Sequence, residues 1–117
     1  MLSMARRGDV FEADLNPPEG SEQAGTRPVV VVSRDAINAT SPNMVIVPVT
    51  SLENKRRLYP SHVVLKAGSG GLSKDSVALA EHVRSISQTR LRRYLGHLRP
   101  DQMAHISVAI KVTLDLP

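Results

Sequence analysis

The chain contains no cysteine and no tryptophan, and only one phenylalanine and two tyrosines. Without thiols it can form neither a disulfide nor a thiolate metal site. With Phe11, Tyr59 and Tyr94 as the whole aromatic complement, it has no platform on which several bases could stack in a row. Any nucleic acid would therefore be held by phosphate contacts and hydrogen bonds. Long apolar runs are missing too. The longest is the four valines 29–32, far short of the roughly 20 residues of a membrane span. Met1 to Arg7 has no apolar stretch after its charges, so no signal peptide is expected, and cytoplasmic residence is the expectation. Met1 and Met4 leave two candidate starts, and residues 4–117 are expected to form a single domain with one modest core.

What is present is unevenly distributed charge. Residues 54–99 hold ten Lys or Arg against two acids, a net of +8 within a total of +4. Residues 1–53 are net −3. A basic segment of this size is the footprint expected for nucleic acid or for an acidic protein segment. The four histidines, His62, His82, His97 and His105, are far apart, and none has zinc-site spacing. His97 and His105 read as surface or structural groups. No metal and no cofactor is expected.

Patterning gives many short strands. Val10–Leu15 alternates apolar and polar as a half-buried strand should. Val29–Ser33 reads as a strand buried on both faces. Residues 34–41 form a turn or short helix, and Met44–Thr50 a further strand in which Pro48 predicts an edge or a bulge. His62–Leu65 is a strand, 67–71 a glycine-rich turn, and Ser76–Ile86 a strand, continuous and bent. Residues 88–94 suggest helical turns and Gly96–Leu98 a last short strand. Pro100–Leu116 is the one long helix, with proline at its first position and Arg99 as a poor N-cap. Met103, Ile106, Ile110 and Leu114 share one stripe. Val108 and Val112 lie off it, which suggests burial against another element or subunit. Together these predict a mainly β fold with a C-terminal helix, as a small antiparallel barrel or strongly twisted sheet.

The most informative stretch is Gly20-Ser-Glu-Gln-Ala-Gly-Thr-Arg-Pro-Val-Val-Val-Val-Ser33. A glycine-flanked polar loop runs into the valine strand, and Pro28 biases Arg27 toward an extended backbone. One guanidinium thus stands at the rim of a rigid sheet, an arrangement suited to phosphate. With RRGDVFEADLNPP before it, Pro48-Val-Thr-Ser51, Tyr59-Pro-Ser-His62, Gly71-Leu-Ser-Lys-Asp-Ser-Val77, Glu81-His-Val-Arg-Ser85 and the C-terminal helix after it, the chain resembles the MazF/PemK family of toxin endoribonucleases over nearly its whole length.

The resemblance implies an SH3-like barrel, a homodimer with RNA crossing the dimer face, and an acidic-tailed, MazE-like antitoxin. It implies Arg27 and Thr50 as the catalytic pair. It also implies that Ser21, Glu22, Gln23, Ser51, His62, Glu81, His82 and Arg84 border the RNA groove. RNA can be cut when its own 2′-OH attacks the adjacent phosphorus, given donors for the phosphorane's charge. Arg27 can offer two coplanar N–H groups to nonbridging oxygens. It is a poor general base, so charge stabilisation and proton donation to the leaving oxygen are its expected roles. Thr50 can donate its hydroxyl, Arg84 can hold a phosphate, and Glu81 can accept from a base amino group. The acceptor of the 2′ proton is open, with Glu22 a candidate. The family often has Gln where His82 stands, which puts the recognised bases in question. Two competing functions share the pattern: a gyrase-binding toxin of the same fold, and a noncatalytic RNA- or protein-binding module. Retention of both Arg27 and Thr50 favours the nuclease.

Overall fold

The computed structural model describes residues 5–17, 20 and 25–117. Among these, the chain forms strands β1 (Asp9–Asp14), β2 (Thr26–Val31), β3 (Asn43–Ser51), β4 (His62–Leu65), β5 (Ser76–Leu79), β6 (Arg84–Ser87) and β7 (Leu91–His97). Helix α1 (Asp35–Thr40) follows β2, and helix α2 (Pro100–Leu114) ends the fold. The strand order is β4-β5-β3-β2-β1-β7, antiparallel at each pairing, with β6 also on β3. The mainly β architecture with a C-terminal helix is as expected.

The valine run explains itself in the core. Val29 and Val31 pack with Ala13, Leu15, Met44, Ile46 and Ile86. Val30 and Val32 pack with Val10, Val47, Leu65, Leu98, Met103 and Ile106. Successive side chains point to opposite faces of a strand, so β2 is buried on both faces and needs an unbroken apolar sequence.

Pro48, expected to mark an edge or a bulge, lies instead in a central strand at a local break in pairing. Rather than an edge, β3 is the most connected strand, pairing with β2, β5 and β6. Along one of its margins β6 takes residues 43–46 and β5 takes 49–51. Pro48 falls in the gap between these ladders, where its missing N–H removes no bond. The same gap breaks the expected continuous strand 76–86 in two. A 3-10 turn, Ala80–His82, carries the chain from β5 to β6 past the gap. Ala80 N donates to Ser61 O and Val83 N to Ala80 O, which fixes that step.

The segment 88–94 is also not helical throughout. A 3-10 turn occupies only Gln88–Arg90, and β7 then runs to His97, replacing the short strand expected at 96–98. Ladder pairing with β1 overrides the local preference. The sheet is open, with β4 and β7 at its two ends. A 3-10 turn at Ser69–Gly71 bridges to β7 by close backbone approach. A Cβ on Gly71 would lie 2.0 Å from the Leu95 carbonyl oxygen, and one on Gly96 2.5 Å from the Gly70 carbonyl carbon. Only glycine fits at these two positions.

Helix α2 lays Met103, Ile106 and Ala109 on the core. The stripe expected to reach Leu114 fades after the half-buried Ile110, and Leu114 is exposed. Val108 and Val112 are exposed as well. At the start, Gln102 accepts from the Arg99 backbone N–H at 2.9 Å, which supplies the cap that Arg99's side chain cannot. Asp115, at φ 56°, closes the last turn two residues before the expected end.

Candidate active site

Pairing between β2 and β3 covers only Val29–Val31 against Ile46–Pro48. Beyond that point the strands part. β2 stays with β1, placing Arg27 opposite Ala13. β3 turns onto β5, placing Thr50 opposite Val77. The result is a cleft of about 520 Å³ lined by Arg27, Pro28, Val49, Thr50, Ser51, Asn54, Lys74 and Arg93 among others. Gly25, at the end of the polar loop, lies on its rim. The two residues expected to act together, 23 positions apart in sequence, therefore share one cavity, and Ser51 joins them.

Arg27 is half-buried and Thr50 is 6 % exposed. Asn54 Nδ2 donates to Thr50 Oγ1 at 3.1 Å. Of the lining residues, Glu12 pairs with Arg93 at 3.1 Å, and Lys74 pairs with Glu53 outside the lining at 3.5 Å. Sequence patterning does not single out Asn54, Lys74, Arg93 or Glu12. Reading 88–94 as helical hides Arg93. As part of a strand its alternation with Arg92 would mark it, whereas Asn54 has no motif at all.

A second cluster lies at the other end of the β4–β5 hairpin. Ser76, at the end facing Leu65, lines the cleft, but His62 faces Leu79, three residues or roughly 10 Å further along. His62 Nε2 meets Glu81 Oε2 at 2.8 Å. The Tyr59 backbone N–H donates to His62 Nδ1 at 3.1 Å, so in the neutral ring the proton sits on Nε2 and points at the carboxylate. The Tyr59 ring meets the imidazole edge-on at 5.5 Å. Burial pushes the Glu81 carboxyl up, but the hydrogen bond from His62 and a backbone N–H outweigh it, leaving its pKa below the ordinary carboxylate value. His82 is half-buried in the 3-10 turn, and Arg84 is half-buried on β6 opposite Ile46. None of His62, Glu81, His82 and Arg84 lines the cleft. Ser21, Glu22 and Gln23 lie outside the described residues.

His97, expected to be a surface or structural group, clasps the buried Asp9 at 2.7 Å, and the other Asp9 oxygen takes the Arg6 backbone N–H at 2.8 Å. His105 is exposed on α2. Among the described residues no three His, Asp or Glu side chains gather as a metal ligand set. No helix of the described residues is long and apolar enough to cross a membrane.

Comparison with known proteins bears on the family and the fold. Residues 6–114 match the model of the PemK-like, MazF-like toxins of type II toxin–antitoxin systems. The chain is 41% identical over 113 residues to endoribonuclease MazF of Staphylococcus saprophyticus, covering 97% of this chain and 93% of that protein. The crystal structure of MazF from Deinococcus radiodurans superposes with a TM-score of 0.81 at 30% identity, over 96% of this chain and 97% of that one. A mycobacterial endoribonuclease in complex with its cognate antitoxin gives 0.80 at 27% identity, over 97% of each chain. With the cleft, the fold and these likenesses in agreement, the chain belongs to the PemK-like, MazF-like toxin family of type II toxin–antitoxin systems.

Proposed function

We propose that this toxin is a sequence-specific, metal-independent endoribonuclease acting on single-stranded RNA, with Arg27 and Thr50 as its catalytic pair. The observation that carries the reading is the shared cleft: Arg27 and Thr50 come from different strands and line one cavity where those strands part. The relatives' endoribonuclease activity supports the reaction class.

In this reading a phosphodiester enters the cleft and the 2′-OH attacks the adjacent phosphorus. Charge builds on the nonbridging oxygens. Arg27 meets it with fixed N–H donors, and Thr50 adds its hydroxyl proton. Such preorganised donors are most effective where charge develops in the transition state. Arg27 also delivers a proton toward the departing 5′ oxygen. Glu22, in the loop that ends at the cleft rim, is the candidate acceptor of the 2′ proton. Charge stabilisation thus comes from a guanidinium rather than from a metal ion. Ser21, Gln23, Ser51 and the corner formed by His62, Glu81, His82 and Arg84 select the bases and hold flanking phosphates.

Residues 4–117 act as one domain in the cytoplasm, paired as a homodimer across which the RNA runs. An antitoxin with an acidic tail masks the groove. The complexes formed by the mycobacterial and Deinococcus relatives support an antitoxin as partner. So does the basic segment 54–99, where Arg56 and Arg57 are exposed.

The test is cleavage of a long RNA in EDTA. Cutting should persist and leave a 2′,3′-cyclic or 3′-phosphate and a 5′-OH. A substrate carrying 2′-deoxyribose at the cut nucleotide should be inert. Cleavage of that substrate, or loss of all cutting in EDTA, would refute the mechanism.

A further inference from the structure

We infer that Asn54 is a positioning residue for Thr50, holding its hydroxyl so that the proton is directed into the cleft. This rests on Thr50 being catalytic, as proposed above. A hydroxyl has one proton to give and two lone pairs to accept with. Asn54 Nδ2 donates to Thr50 Oγ1 at 3.1 Å and so occupies one lone pair. The Thr50 proton is then free for a phosphate oxygen, and the polarised O–H is a better donor. Left alone, a buried threonine hydroxyl turns about its Cβ–O bond and commonly bonds a local carbonyl.

The amide is itself held in place. Asn54 ends the 3-10 turn Leu52–Asn54, which follows β3 without a break. Leu52 N donates to Asp75 O at 2.9 Å, and Lys55 N to Leu52 O at 3.0 Å. Asp75 is in turn fixed by the Ala67 backbone N–H on its Oδ1 at 2.8 Å. Glu53 reaches Lys74 on the facing loop. These bonds set the turn at a constant distance from β5, and with it the amide from Thr50. Both Thr50 and Asn54 line the cleft, so the bond lies where the substrate phosphate is bound.

The direction of the bond is the testable point. An amide nitrogen leaves the Thr50 proton free, whereas an oxygen at the same place captures it. Asn54→Ala removes the orienting donor. Asn54→Asp replaces it with an acceptor that takes the proton and sets a negative charge beside the phosphate. Single-turnover cleavage should therefore fall in the order wild type, Asn54→Ala, Asn54→Asp. The alanine variant should lose about fivefold to tenfold, the scale of one hydrogen bond. The aspartate variant should lose more. Affinity for an uncleavable 2′-deoxy RNA should be unchanged in Asn54→Ala, because the lost bond is not to substrate.

In a Thr50→Ala background the further change Asn54→Ala should do nothing, since residues that act through one another are not additive. Asn54 is exposed, and thermal melting of each variant reads out folding separately. If Thr50→Ala is slow but Asn54→Ala cuts at the wild-type rate, this inference alone is overturned. The same holds if Asn54→Asp cuts faster than Asn54→Ala, or if the loss from Asn54→Ala persists in full without Thr50. If Thr50→Ala itself cuts at the wild-type rate, the catalytic assignment fails and takes this inference with it.

Discussion

Two corners of this molecule hold polar side chains of the kind that RNA requires, and they are built in opposite ways. In the cleft between β2 and β3, Arg27 and Thr50 come from separate strands and face a cavity. At the far end of the β4–β5 hairpin, His62 and Glu81 face each other at 2.8 Å, with the His62 side chain almost wholly enclosed. The first corner lines an open cavity. The second spends its strongest interaction internally and leaves the partly exposed Glu81 edge for a ligand. A cavity lined by hydrogen-bond donors suits a reaction whose charge builds at one point. A locked carboxylate suits reading a base edge, where a fixed acceptor discriminates. Catalysis and selection are separable in this account, and the variants below should separate them.

The largest effect is expected at Arg27. Arg27→Ala should slow cleavage on the order of a hundredfold, or ~3 kcal/mol, by losing a donor to the phosphorane. Arg27→Lys should recover little, since an ammonium lacks the planar fork. Single-turnover rates on one RNA measure both. Turnover near wild type in the alanine variant, with the fold intact, would remove the distinction between the corners.

Next is a change that should disturb the cleft through its wall. Gly96→Ala places a methyl within 2.5 Å of the Gly70 carbonyl carbon, forcing the 69–71 turn away from β7. Gly71 and Leu95 from these two segments line the cleft. Overpacking of this kind costs about 1–3 kcal/mol, visible as a lowered melting temperature. Unchanged melting would show that the turn and β7 are not held together as described.

A smaller effect is expected at the His62–Glu81 corner. Glu81→Gln should keep the chemical rate and change the distribution of cut sites, because an acceptor-only carboxylate becomes a group that also donates. The pH response follows from the Glu81 pKa, which folding lowers from the ordinary glutamate value of 4.5. A carboxyl whose folded value lies below its unfolded value stabilises the fold above the unfolded value. That contribution is lost as pH falls through the lowered folded value. Glu81→Gln should therefore lower the melting temperature slightly at neutral pH, where that contribution is present, and converge with wild type in acid, so that its fall below pH 4.5 is flatter. An identical acid limb in both proteins would contradict the pairing.

Much of this is legible in the chain alone. The valine run dictates a doubly buried strand, and the motif around Arg27 and Pro28 places a guanidinium at a sheet rim. His62–Leu65 and the start of α2 fall where the pattern puts them. Failures arise wherever long-range pairing decides the outcome. Pro48 reads as the mark of an edge or a bulge, yet the gap between β5 and β6 accommodates it inside a central strand. That same gap splits 76–86. β7 forms against β1 in a segment whose local preference is helical. The cleft is invisible in sequence for a related reason, since it exists only because β2 and β3 stop pairing after three residues. Asn54 belongs to the site through a single side-chain bond that no sequence spacing announces.

The separation of the two corners is tested most directly by one primer-extension map. A single long RNA is cut by wild type, Arg27→Ala and Glu81→Gln in parallel. The account predicts that Arg27→Ala leaves the same sites with all bands weakened together, and that Glu81→Gln cuts at comparable total rate with bands redistributed among sites. Uniform weakening by Glu81→Gln with no redistribution, or full-strength bands from Arg27→Ala, would contradict it.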